Sequence, residues 1–263
     1  MPGRNAVPLS PFVTIGYRAV IYRSDQKAYS VKDWFPLAEY EFYAFVASGM
    51  LLIAALDYSL TGGVLVNRTN WNIIDGVFWT VVAYLTGQIT AGPSSSLIEH
   101  LLARRLLSIP ADIQLGLRDR NWVERRLAAC FAPREYAPLR EPIRARALAR
   151  AAKQLGVAED QLDGETVFQA AFHPVRGVSD TVGRLNSFMN QYGMSRNICF
   201  VSLVAVGALT YRQLQTPTNQ TAFILAGSAV LAVGMFGRFL KFYSAYSSDV
   251  IRTYATLPAD KVP

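Results

Sequence analysis

Residues 221–240 read TAFILAGSAVLAVGMFGRFL, an apolar run whose one charge, Arg238, stands near its end. A helix rises about 1.5 Å per residue, so such a run matches the hydrocarbon core of a bilayer, about 30 Å thick. A buried helix of a soluble protein is the competing explanation, and it weakens because the run is not alone. Phe42–Leu60 has Met50–Leu56 at its centre, Ile73–Gly92 passes through Val77–Val82, and Asn197–Tyr211 forms the core of another. Of the 263 residues, 51% are hydrophobic and 17% charged, against roughly 25% charge in an average soluble domain. Mean hydropathy is +0.19. Those values exclude a single soluble domain, a disordered chain, a disulfide scaffold and a secreted enzyme. The expected fold class is an all-α polytopic membrane protein. Its four transmembrane helices are arranged two and two around a helical cytoplasmic insert.

Charge gives the orientation. Of 26 lysines and arginines, 24 fall in residues 1–40, in 99–196 and in the tail from Arg238. Only Arg68 and Arg212 fall in the two short loops. Basic residues stay on the cytoplasmic side, so both termini and the insert are expected there. The expected parts are a cytoplasmic segment 1–40 and spans one and two with an extension over 41–107. A basic helical domain follows over 108–193, then spans three and four with an extension over 194–257, and a tail 258–263. Near Met1 no apolar core precedes a small-residue cleavage site, so the N-terminus does not read as a signal peptide. Val13–Ile21 alternates like a short strand and fits an interfacial segment equally well.

Pro93 removes a backbone donor inside the second stretch, where a kink or break is expected. Ser94, Ser95 and Ser96 can satisfy the freed carbonyls. Beyond Pro110 four helices are expected: Arg118–Cys130, Pro138–Leu155 ended by Gly156, Gln161–Phe172, and Ser179–Gln191. This insert is thin in large side chains. It is expected to pack on the membrane surface, on extensions of the spans, or on a neighbouring subunit. Residues 118–153 hold ten basic side chains against four acidic ones. Arg118, Arg120, Arg125, Arg126, Arg140, Arg144, Arg146, Arg150 and Lys153 form the candidate anion-binding set, because guanidinium forks suit phosphate. Anionic lipid headgroups, a nucleotide ligand and a soluble cytoplasmic protein are the partners this charge fits. Aromatic platforms are scarce there, which argues against sequence-directed nucleic-acid binding.

Polar groups inside spans are functional candidates by default. Asp57, Asp75 and Arg212 fall at similar depth near the external ends of their spans. Two readings fit them: caps and a salt bridge that fix helix order, or a ring of carboxylates at an external vestibule, repeated by oligomerisation. Thr86, Gln88 and Thr90 add polar positions to span two. Ala226, Gly227, Ser228, Ala232 and Gly234 in span four permit close helix packing, within the monomer or between subunits of a homo-oligomer. Cys130 and Cys199 fall on different elements, and His100 and His173 offer no metal-ligand spacing. No disulfide, metal or cofactor is expected. A Gly-x-Ser-x-Gly elbow, a His-Glu-x-x-His pair and a P-loop are all missing from the sequence, so no enzymatic activity is expected.

Two patches stand out. One is Tyr84-Leu85-Thr86-Gly87-Gln88 followed by Ser94-Ser95-Ser96 and Glu99. The other is Arg184-Leu185, Phe188, Tyr192 and Arg196-Asn197, with Arg238–Tyr243 later. With its two spans, helical insert and two further spans, the arrangement resembles a group of bacterial inner-membrane proteins, including four-span effectors of antiphage defence systems. The resemblance covers architecture and transfers no functional residues. The expected protein is a multi-pass protein of the bacterial inner membrane, acting as an oligomeric effector or channel-like assembly controlled through its basic domain. A non-catalytic anchor that recruits a soluble partner is the alternative.

Overall fold

The structure, a computed structural model, describes residues 39–104, 109–131 and 136–258. The chain divides into two units, Met1–Pro36 and Leu37–Pro263, and the strand-like stretch Val13–Ile21 lies outside the described residues. Elements follow in the order α1 (Glu39–Thr61), α2 (Ile73–Ser94), a π-helical stretch (Ser95–Arg104), α3 (Pro110–Leu115) and α4 (Trp122–Phe131). Then come α5 (Glu141–Leu155), a short 3-10 turn (Glu159–Gln161), α6 (Gly164–Arg176), α7 (Ser179–Gln215) and α8 (Asn219–Thr256). Every element among the described residues is helical. Four helices (α1, α2 with its π-helical extension, α7 and α8) are long and apolar enough to cross a membrane.

Local sequence explains most of the boundaries. Asn72 starts α2 by accepting the Asp75 amide, and Thr218 starts α8 by accepting the Thr221 amide. Gly156 ends α5 in the left-handed region at φ 67°, where a Cβ would be strained. Asn121 and Glu124 form a reciprocal capping box, so α4 begins at Trp122 and not at Arg118. The helix expected from Gln161 starts at Gly164 instead. Glu159–Gln161 closes a 3-10 turn, and Asp163 then caps α6 by accepting the Thr166 amide.

Among the long helices α7 is central, packing on α8, α1 and α2. Its apolar window is 44% buried, against 17% for α2. The other face of α2 leaves Ile74, Val77, Phe78, Val81, Leu85 and Ile89 exposed, and α8 leaves Phe223, Val230 and Val233 exposed. Soluble monomers rarely expose such rows. The α1–α2 contact is made by backbone: a Cβ at Gly49 would land on the Ala83 carbonyl, and one at Gly87 on the Phe45 carbonyl.

At 37 and 38 residues, α7 and α8 outrun the apolar part of the bundle. Their extra turns carry Leu185, Val250, Ile251 and Tyr254 into a core with Ala111 and Leu115 of α3, Ala147 and Ala151 of α5, and Val167, Ala171 and Val175 of α6. This is the domain end of the bundle; the loops 62–72 and 216–218 mark its opposite, loop end. The expected helix Ser179–Gln191 is therefore not separate. It continues through Gly193, where nothing lies within 4 Å of an added Cβ, straight into the apolar half of α7. The short helices pack on the extended α7 and α8 and share their core, so no structural break falls at residue 193.

Candidate functional site

The two sequence patches meet where the apolar part of the bundle gives way to the domain end. Pro93 leaves the Ile89 carbonyl without its usual donor, and the helix answers by widening. From Ser95 it follows π-helical geometry, with His100 Nδ1 3.2 Å from the Ser95 carbonyl. The chain thus turns without breaking, and Ile98 and Glu99 come to lie against α7. Ser94 Oγ donates to Asn197 Oδ1 at 2.5 Å, both groups buried. One turn further, Arg196 Nη1 donates to Glu99 Oε2 at 3.0 Å, the two side chains 15% and 14% exposed. An ion pair so sheltered stands because both partners are present.

Below this layer α7 and α8 are tied by Arg238 to Gln191 at 2.6 Å and by Arg184 to Asp249 at 2.8 Å. Tyr192, Phe239 and Tyr243 fill the space between them with ring contacts of 5.5 to 6.2 Å. The short helix α3 is pinned to α8 by Gln114, which is fully buried. Its amide donates to the carbonyl and hydroxyl of Ser244 and accepts from Ser247 Oγ. Only an amide can donate and accept in this way. Between α3, α6, α7 and α8 a cavity of about 140 Å³ remains, with Glu99, Glu165, Gln169, Tyr192, Tyr243 and Tyr246 in its wall. Arg196 neutralises Glu99 in this wall.

At the loop end the candidate charges are spent locally. The carboxylate of Asp57 accepts from Thr61 Oγ1 at 2.6 Å and from the amides of Leu65 and Val66 at 2.9 and 3.0 Å, folding the loop back onto α1. Asp75 accepts from Arg68 Nη2 at 2.8 Å, and Arg68 lies over Trp71. Arg212 pairs with neither carboxylate among the described residues; it covers the Tyr58 ring at 5.0 Å and donates to the Ser59 carbonyl. Thr86 and Thr90 donate to the Val82 and Gly87 carbonyls of their own helix. Gln88 donates to the Tyr84 hydroxyl at 2.7 Å and stays exposed.

The small residues of α8 divide. Ala232 is buried and Ser228 half-buried, but Ala226, Gly227 and Gly234 are exposed, with open space beside both glycines. The close helix contact lies at Gly49 and Gly87 instead. The Ala83/Gly87 small-residue spacing in span two was the signal that could have found it.

The arginines also divide. Arg150 donates to the Tyr254 and Leu257 carbonyls and covers the Tyr254 ring, closing the end of α8. Arg144 pairs with Glu141 and lies beside Gly116. Arg146 and Lys153 are exposed on α5 and Arg140 just before it, whereas Arg118, Arg125 and Arg126 are exposed, and Arg120 half-buried, in and before α4. Cys130 is exposed and Cys199 buried, and no group of His, Cys, Asp or Glu among the described residues could hold a metal. No family model matches this chain, and neither does any curated protein or solved structure.

Proposed function

We propose that this protein is a multi-pass membrane anchor, non-catalytic, that presents a rigid basic helical platform to an anionic soluble partner on the cytoplasmic side. The observation that carries the reading is the continuity of α7 and α8. Each runs as one helix from the apolar bundle into the core that supports α5. A platform held this way has a fixed position relative to the bilayer, which favours recruitment. The outward side of α5 offers Arg146 and Lys153 beside Ala145 and Ala149, a surface that accepts close approach of an acidic group. Affinity purification of the full chain from its native membrane tests it. A stoichiometric partner that is lost on Arg146→Glu/Lys153→Glu and kept on Asp57→Asn supports the reading. Loss on Asp57→Asn alone overturns it.

A second reading, an oligomeric channel-like effector of the bacterial inner membrane, is favoured by the exposed Gln88 amide of α2, which donates to the hydroxyl of half-buried Tyr84 at the α1 contact. An exposed side-chain amide among apolar residues is better satisfied by another copy of the chain. Purified protein in liposomes then releases ions, and Gln88→Leu abolishes both release and the oligomer. Tight liposomes with an intact oligomer reject it.

A further inference from the structure

We infer that Leu117–Arg126, together with the outward face of α4, is a membrane-seating element that lies on anionic lipid headgroups at the domain end. The inference rests on the reading that the four long helices span a bilayer, and not on the recruitment of any partner.

Three observations carry it. The first is composition by face. Glu124 is 1% exposed and held by its capping box with Asn121, which fixes the rotation of α4. Trp122, Val123, Arg125, Arg126 and Cys130 are left facing outward. Trp122 is 67% exposed, and Leu117 and Val123 are exposed beside Arg118 and Arg120. An exposed tryptophan among arginines is the pattern of an interfacial helix, the ring at the headgroup level and the guanidinium groups on phosphate. The second is level. α4 packs on α8, and Tyr136, the first described residue after it, is buried with Ile98, Cys199, Phe239 and Leu240. Those residues flank the Glu99–Arg196 pair, where the apolar surface of the bundle ends. α5 and α6 instead pack on Tyr246–Leu257, several turns further out. The third is charge. Asp119 is the one acid on this surface, against four arginines, so an anionic leaflet complements it and an acidic-poor protein face does not.

Cys130 on the outward face is a built-in reporter, because Cys199 is buried. A nitroxide on Cys130 of the full chain, with Cys130→Ser as the blank, is compared in nanodiscs of phosphatidylcholine and of phosphatidylcholine with phosphatidylglycerol. Collision with a water-soluble nickel chelate is expected to fall several-fold in the anionic discs. Each arginine contributes about fivefold to seating, so Arg125→Gln/Arg126→Gln restores the collision rate, whereas Arg146→Gln/Lys153→Gln on α5 leaves it low. Equal nickel access in both discs, with the chain retained in both, overturns the seating alone. A chain that leaves both discs overturns the spanning reading and this inference with it. Protection that disappears when a co-purified protein is stripped away assigns the surface to that protein and overturns the lipid assignment.

Discussion

Glu99 and Arg196 come from segments 97 residues apart and meet with little solvent around them. Removing one partner leaves a sheltered charge uncompensated, at a cost of about 3–5 kcal/mol, whereas replacing both by apolar groups costs much less. Glu99→Gln is therefore expected to lower the thermal midpoint of the detergent-solubilised protein more than Glu99→Leu/Arg196→Leu does. A double variant weaker than either single variant contradicts the pairing. Asp163 makes a prediction in pH. Hydrogen bonds from the Thr166 side chain and amide hold its carboxyl below the usual 3.8. Its folded pKa is depressed, so the cap stabilises fully above the unfolded value and is lost as pH falls through the lower folded one. Asp163→Ala is expected to cost about 1 kcal/mol near neutral pH. The gap to the native chain should close in acid, as chemical denaturation at several pH values will record. Asp163 is a local cap, but nothing in the spacing of Glu99 names Arg196 as its partner.

At the scale of elements, the α1–α2 contact is the sharpest test of packing. Gly87→Val places carbon where the Phe45 carbonyl already lies, and overpacking of this kind costs about 1–3 kcal/mol or more. Gly227→Val in α8 meets open space within 4 Å and is expected to change the midpoint little. Equal effects would mean that α8, and not α1, is the tight neighbour. The apolar stretches were readable because length and composition are local properties of the chain. The ends of α4 and α6 were not, since each depends on a side chain folding back on an amide: Glu124 in one case and Asp163 in the other. Pro93 announced a disturbance in α2, but whether it becomes a kink, a break or a π-helical widening depends on what α7 offers opposite.

Across the whole molecule, the continuity of α7 has a measurable signature. Amides from Leu185 through Ser202 are expected to exchange slowly and as one block, because the segment is helical throughout and packed on α8 at both ends. A fast-exchanging window around Gly193 would instead mark a hinge between an independent domain and the bundle. The four apolar runs, their two-and-two order around a helical insert, and caps such as Gly156 were legible along the chain. Each follows from a few neighbouring residues and their preference for water, hydrocarbon or a particular backbone angle. Folding contacts set the rest: Ser94 meets Asn197 across 103 residues, and Gln114 reaches Ser244 across 130. Those outcomes depend on the rotational phase and depth of helices against one another, which are set by packing among segments far apart in the chain.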